Sequence, residues 1–152
     1  MELSAKSRYA AAILLELATC GEEDRLSASA LAGHLGVSAQ FVEQVLKPLK
    51  KSGLVDSVRG AAGGYSLAGA AGKITLGGIV RVMEGGINFT VCRGERVNEC
   101  PQVDACPSFY AWENLGRELE KALDSLTLDD LLNDKYLCPG NTQDNDASAP
   151  AP

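Results

Sequence analysis

A mainly α fold with one small β hairpin is predicted by three features of this sequence. Two short helical segments, each preceded by serine, meet at the turn Gly36-Val37-Ser38. A glycine-rich hairpin follows over 54–67, and a long amphipathic segment runs over 108–126. With 152 residues, 45% of them apolar, the chain can bury one modest core, or a small domain plus an element that needs a partner to cover it.

The first helix is expected from about Ser4 to Thr19, where Tyr9, Ile13 and Leu17 recur at helical spacing. Gly21 to Arg25 is a polar break. A second helix begins after Ser27 or Ser29, either of which can accept hydrogen bonds from the orphan amides of a first turn, and carries Leu31 and Leu35 to its end at Gly36. Ser38 opens a third helix that buries Phe41, Val42, Val45, Leu46 and Leu49 before Gly53. Pro48 removes the bond to the carbonyl four residues earlier, at a cost of about 3 kcal/mol, so a kink or an early end is expected there. Helix, short turn, helix is the outline of a helix-turn-helix.

Leu54 to Val58 reads as a strand, Arg59 to Gly64 as its tip, and Tyr65 to Leu67 as the returning strand, which together make a wing. Thr75 caps a helix through Val80 and Met83 that stops at Gly85-Gly86, and a cysteine-bearing loop runs from Val91 to Pro107. In the long helix from Ser108 to about Leu126, the stripe Trp112, Leu115, Leu119, Ala122 and Leu126 is flanked by charged faces. Such a stripe needs something to pack on, and a second copy of the chain is the economical choice. Thr127 opens a short last helix, with Asp129 and Asp130 where acidic groups favour a helix N-terminus. After Pro139 no hydrophobe is large enough to anchor the tail, which reads as disordered. The organisation expected is a winged helix-turn-helix domain over 1–85, a cysteine-bearing loop over 86–107, a dimerisation helix with a short C-terminal helix over 108–138, and a tail over 139–152.

No stretch approaches the ~18 unbroken apolar residues of a membrane span, and the N-terminal residues lack the apolar core of a signal peptide, so a cytoplasmic protein is expected. Five cysteines in a reducing compartment favour metal or redox chemistry over a disulfide framework. The net charge of −6 is unevenly spread: residues 1–60 hold seven Lys/Arg against seven Asp/Glu, and the rest hold seven against thirteen. A DNA reader needs a local positive face, because phosphate contacts are screened beyond about 10 Å, so this balance neither supports nor excludes DNA.

A recognition helix enters the major groove N-terminus first, which makes Ser38, Gln40, Glu43 and Gln44 the candidates for base edges. Lys6, Arg8, Lys47, Lys50 and Lys51 are candidates for phosphates. The alternative is that these residues are only the solvated faces of their helices. Arg59, at a wing tip among glycines, has the length to enter a minor groove, unless it is an ordinary surface arginine. Cys92, Cys100 and Cys106 form a C-x7-C-x5-C pattern. Three thiolates from one loop make a soft-metal site suited to an iron-sulfur cluster or zinc, the longer spacing favouring a cluster, although unligated loop cysteines have the same pattern. His34 falls on the exposed side of the second helix, Cys20 reads as a packing residue, and Cys138 as a free thiol or an accessory to the site.

On these residues the chain resembles the IscR/NsrR/CymR-type family of bacterial winged helix-turn-helix transcriptional regulators. The likeness runs from about Met1 to Leu132. It is most specific over Leu3–Ala10 (LSAKSRYA), Phe41–Gln44 (FVEQ), Gly53–Leu67 (GLVDSVRGAAGGYSL), Ile74–Gly85 (ITLGGIVRVMEG) and the three-cysteine loop. The resemblance implies a homodimer crossed by the long helix, bound to a pseudo-palindromic operator in double-stranded DNA. Gln40, Glu43 and Gln44 would read the major groove and Arg59 the minor groove. It further implies a redox-sensing cluster, 2Fe-2S or 4Fe-4S, on Cys92, Cys100 and Cys106 that alters DNA affinity in answer to iron, redox or nitric oxide status. Two departures touch the fourth ligand. The position where one branch has histidine, three after the last cysteine, is Phe109, and the place of an acidic ligand in another is about Arg8. His34 of the partner subunit is the preferred substitute, with Glu113, Cys138, water or a small thiol as alternatives. The first cysteine spacing is also longer than the family's, which leaves the cluster type open.

The function expected is therefore a cluster-gated regulator, read as a repressor. The alternative is a cluster-free regulator of the same fold controlled by thiol oxidation or by docking of a metabolic enzyme. An enzyme is not expected: one isolated histidine, no nucleophile motif and no phosphate-binding glycine pattern with its lysine leave nothing to carry catalysis, and no small-molecule substrate is evident.

Overall fold

The computed structural model describes residues 3–20, 24–61, 63–88, 90 and 95–133. Six α-helices and one two-stranded sheet are found: α1 (Ala5–Thr19), α2 (Ala28–Leu35), α3 (Ala39–Lys51), β1 (Val55–Val58), β2 (Gly64–Leu67), α4 (Leu76–Glu84), α5 (Phe109–Asp124) and α6 (Leu128–Leu132). Short 3-10 turns lie at Ala71–Lys73, Glu95–Glu99 and Val103–Ala105. Expected tail residues 139–152 fall outside the described residues, as does Cys138.

Helix starts are set by hydroxyl side chains. Ser4, Ser27, Ser38 and Thr75 each accept a hydrogen bond from the amide three residues on, at 3.0–3.2 Å. Of the two candidates before α2 it is Ser27 that caps, not Ser29. Thr127 and Asp130 form a reciprocal capping box at α6. Gly36 ends α2 in the left-handed region at φ 66°, where its amide bonds the Ala32 carbonyl and turns the chain sharply into α3. Pro48 falls in the last turn of α3, which ends at Lys51. The carbonyl freed by the missing proline amide belongs to Gln44, an exposed residue, so water can satisfy it.

One core joins the helices. Ile13 and Leu14 of α1, Leu31 of α2, Val42, Val45, Leu46 and Leu49 of α3, Val55 of β1, Ile79 of α4 and Leu128 of α6 are all buried in it. Each such side chain contributes roughly 1.5–3 kcal/mol on leaving water. Phe41, expected to be buried, is only partly so; its ring meets Tyr9 edge-on at 5.1 Å, pinning the start of α3 to α1.

The hairpin pairs Val55 with Leu67 and Val58 with Gly64, and a bridge from Leu26 to Tyr65 adds a third, single-residue rung from the segment between α1 and α2. Two backbone bonds of 3.1 and 2.9 Å make that rung. A second bridge, Thr75 with Thr127, ties the end of α5 to the start of α4 through Leu76 N–H to Leu126 O at 2.8 Å and Leu128 N–H to Ile74 O at 2.9 Å. Arg81 adds a bidentate pair to Asp124 at 2.7 and 2.6 Å, which lowers the Asp124 pKa below its ordinary value through that hydrogen bond. The pair is too exposed to add more than about 1 kcal/mol, so the bridge and the burial of Leu128 do most of the fastening. The long helix is thus fixed to the winged unit at its C-terminal end.

Two faces of α5 differ. Phe109, Glu113, Gly116, Glu120 and Leu123 line the less accessible side, and α5 packs on α4. Of the stripe singled out in the sequence, Leu115 is 52% and Trp112 43% exposed and Ala122 is exposed as well, whereas Leu119 and Leu126 are half-buried. Among the described residues no helix is long and apolar enough to cross a membrane.

Candidate nucleic-acid interface and cysteine loop

The sequence of α3 separates its two sides cleanly. Val42, Val45, Leu46 and Leu49 are buried, while Gln40, Glu43, Gln44, Lys47 and Lys51 recur at spacings of three and four on the solvent side. Ser38 at the cap and Lys50 are exposed too. The helix thereby offers acceptors and amide groups along one ridge and cations toward its C-terminal turn. Lys6 and Arg8 are exposed on the first turns of α1.

Arg59 is exposed where β1 ends, and exposed Val58 stands beside it. The tip behind them is tight. Gly60 has φ +116°, and the amide of Gly63 bonds the Gly60 carbonyl at 3.0 Å. A Cβ at Gly63 would overlap the Val58 carbonyl oxygen and lie 2.9 Å from the Gly60 oxygen. Glycine is therefore required by a close backbone approach inside the wing, and the same closure sets where Arg59 leaves the strand.

The cysteine loop is described in part. Cys92 lies outside the described residues; Cys100 and Cys106 are half-buried and free. Cys100 donates its amide to the Val97 carbonyl at 3.2 Å and accepts from Val103 at 3.3 Å, so it sits between the two 3-10 turns. Cys106 directly precedes α5: its carbonyl accepts from Phe109 N–H at 3.2 Å, and its sulfur meets the Ser108 hydroxyl at 3.4 Å. That hydroxyl, then the Ser108 amide, holds the Cys106 thiol below the usual thiol range. Ser108 gives α5 no side-chain cap, in contrast to the Ser and Thr caps of the other five helices. The first turn of α5 is consequently tied to Cys106 instead of to a capping hydroxyl.

His34 is where the sequence placed it, on the exposed side of α2, with Nδ1 2.9 Å from Glu16 Oε2. Glu113 is half-buried on α5. Among the described residues no three His, Cys, Asp or Glu side chains converge closely enough to hold a metal. Two soft thiols on the same loop, Cys106 with its pKa lowered by Ser108, fit as cluster donors in kind. Cys20 packs at the end of α1 with its thiol 3.5 Å from the Glu16 carbonyl. Sequence reasoning missed the contacts of Glu84, whose carboxylate at the end of α4 accepts from the Ser4 amide at 3.0 Å and from the Ser7 hydroxyl. Nothing local marks that residue, because its partners lie at the opposite end of the domain sequence.

Comparison with known proteins places these features in context. The family model described as "Rrf2: Iron-dependent Transcriptional regulator" matches residues 3–134. The "HTH-type transcriptional regulator IscR" of Pectobacterium atrosepticum is 33% identical over 147 residues, covering 96% of this chain and 88% of that protein. Among solved structures, CymR (YrzC), the global cysteine regulator of B. subtilis, superposes with a TM-score of 0.71 at 34% identity, covering 88% of this chain and 97% of that one. The structure of T. potens IscR gives a TM-score of 0.67 at 34% identity over 90% of this chain and 89% of that one.

Proposed function

Because the chain belongs to the Rrf2 family of transcriptional regulators, whose model spans residues 3–134, we propose that it is a homodimeric regulator, a repressor, that reads a pseudo-palindromic operator in double-stranded DNA. The observation that carries this reading is the solvent ridge of α3, with Gln40, Glu43 and Gln44 ahead of Lys47 and Lys51, beside a wing that presents Arg59. Glutamine suits the two edge atoms of adenine and glutamate the cytosine amino group, with Ser38 beside them at the base edges, while Lys6, Arg8, Lys47, Lys50 and Lys51 hold phosphates. Arg59 enters the minor groove. The exposed stripe of α5 is covered by the same stripe of a second copy, which spaces the two α3 helices for the two half-sites.

Cys92, Cys100 and Cys106 are the residues that would hold an iron-sulfur cluster, 2Fe-2S or 4Fe-4S, with His34 of the partner subunit as fourth ligand. The family description as iron-dependent and the relatives named IscR support this. A bound cluster supplies sensitivity to iron, oxidants and nitric oxide. The chain's own part is mechanical: Cys106 is bonded to the first turn of α5, so whatever fixes that sulfur also fixes the helix that pairs the two subunits. A coupling of only about 1–3 kcal/mol between loop and operator changes operator affinity by roughly 5- to 150-fold. The likeness to a cysteine regulator favours one other reading, a cluster-free regulator controlled by oxidation of these thiols or by docking of a metabolic enzyme.

Selection of bound duplexes from a random library tests the DNA reading. An inverted repeat should be enriched, and Gln44→Ala should relax preference at one position in each half-site by about 1–3 kcal/mol of discrimination while leaving the salt dependence unchanged. A library that shows no enriched sequence, or a preference untouched by Gln44→Ala, Glu43→Ala and Gln40→Ala, would remove α3 as the reading helix.

A further inference from the structure

Ser7 is a buried polar residue, 3% exposed, in a core otherwise made of aliphatic side chains. A buried hydroxyl needs partners, and Ser7 finds them in Ser4 Oγ at 3.3 Å and in the carboxylate of Glu84. The same carboxylate oxygen accepts the backbone amide of Ser4, the N-cap of α1, at 3.0 Å. Glu84 thus reaches across 77 and 80 residues of sequence to close the first turn of α1 from outside. The hydrogen bonds from Ser7 and then Ser4 hold its pKa below the ordinary carboxylate range, so it is ionised at neutral pH.

Two further facts give this contact direction. The turn that Glu84 closes carries Lys6 and Arg8, both exposed. On its other side Glu84 is the last residue of α4, and the chain leaves through Gly85 and Gly86 to Ile87, which is 2% exposed, on its way to the cysteine-bearing segment. One carboxylate therefore stands between the root of the loop and the N-terminal cations.

We propose that Glu84 is a positioning residue that latches the first turn of α1 to the end of α4, so that Lys6 and Arg8 meet DNA phosphates only while the latch is closed. This rests on the reading of the chain as a DNA-binding regulator. Because the latch joins the root of the loop, a shift of Ile87 is passed to the first turn of α1, which carries Lys6 and Arg8. The device tunes sequence-independent affinity, while α3 retains the sequence preference.

The test measures binding of the full chain to a random-sequence duplex of about 30 base pairs by fluorescence anisotropy, between about 50 and 200 mM salt. Glu84→Ala should flatten the slope of log K against log salt by about 0.9 for each phosphate no longer neutralised, and should match the double variant Lys6→Ala/Arg8→Ala. Glu84→Gln, which keeps an acceptor oxygen, should restore most of the slope. The Ser7 amide should exchange faster in Glu84→Ala and remain protected in Glu84→Gln. Glu84→Gln should keep the wild-type melting profile, while Glu84→Ala, which leaves the buried Ser7 hydroxyl with Ser4 Oγ alone, should melt several degrees lower and still fold, so binding is compared well below both transitions. A wild-type slope in Glu84→Ala beside a flattened one in the double variant overturns the latch. No change in either overturns the phosphate role of α1 and the proposal with it. A wild-type chain that binds no duplex would instead sink the DNA-binding reading; exchange at Ser7 would still decide whether Glu84 closes the turn, and unchanged protection in Glu84→Ala would overturn it.

Discussion

Replacing Leu115 by aspartate is expected to convert the proposed dimer to monomer at micromolar concentration and to abolish high-affinity operator binding. Leu115 is 52% exposed at the centre of the α5 stripe, with Trp112 one turn before it and Leu119 one turn after. Full burial of a leucine is worth roughly 1.5–3 kcal/mol, and about half of that remains to be gained when a second copy covers it. Removed from both copies, this comes to about 1.5–3 kcal/mol, or roughly 10- to 150-fold in the dimer dissociation constant. A carboxylate left in the seam adds its own desolvation cost, so at least a hundredfold weakening is expected, on the order of 3 kcal/mol or more. Sedimentation velocity measures the first effect. The residue lies away from the core, so the melting curve extrapolated to the monomer should hardly move. A Leu115→Asp protein that sediments as a dimer would show that α5 does not pair the subunits.

The second large effect is expected at the wing. Gly63→Ala forces a methyl group into the Val58 carbonyl and to within 2.9 Å of the Gly60 oxygen, both rigid backbone atoms. Neither can yield without opening the Val58–Gly64 end of the hairpin. Strain of this kind costs about 1–3 kcal/mol, which the tip relieves by rearranging and carrying Arg59 with it. In the proposed complex each dimer would then forfeit two charged hydrogen-bonding arginines in the minor groove, each worth roughly 1.5–3 kcal/mol, so operator affinity should fall by about a hundredfold or more. Gly69→Ala is the control: it lies past the hairpin with open space around it and should bind as the wild type does. Equal binding by Gly63→Ala and wild type would mean that the wing tip does not touch DNA.

Much of the fold could be read from the sequence because the chain punctuates itself locally. Ser4, Ser38, Thr75 and Thr127 announce helix starts, and Gly36, Gly53 and Gly85, all at positive φ, mark where helices turn away. The alternation of buried and exposed positions along α3 was visible for the same reason, since a helical period needs no tertiary information. What could not be read is long-range. The Leu26–Tyr65 and Thr75–Thr127 bridges involve backbone groups, which leave no trace in residue type. The second, partly covered side of α5 is masked in the sequence because Glu113, Gly116 and Glu120 interrupt Phe109 and Leu123 along it, and Gly116 is buried by closeness to its neighbours and not by hydrophobicity. Pro48 lies in the last turn of α3, which ends at Lys51, as a helix already ending requires. Of the candidate residues, the exposed positions of Gln40, Glu43 and Gln44 on α3, and of Arg59 just past β1, were legible from position alone. The bonding of Cys106 to Ser108 and the reach of Glu84 to Ser4 and Ser7 were not, since loops and cross-chain contacts carry no period.

The most direct test of the cluster-gated reading is the visible absorption spectrum of protein purified without oxygen, with iron and sulfide counted per chain. A brown protein with matching iron and sulfide is the expected result, bleached by Cys92→Ala, Cys100→Ala or Cys106→Ala and altered in shape by His34→Ala. A protein that stays colourless after anaerobic reconstitution with iron and sulfide, yet still binds its operator, would contradict it and leave thiol oxidation or enzyme docking as the control.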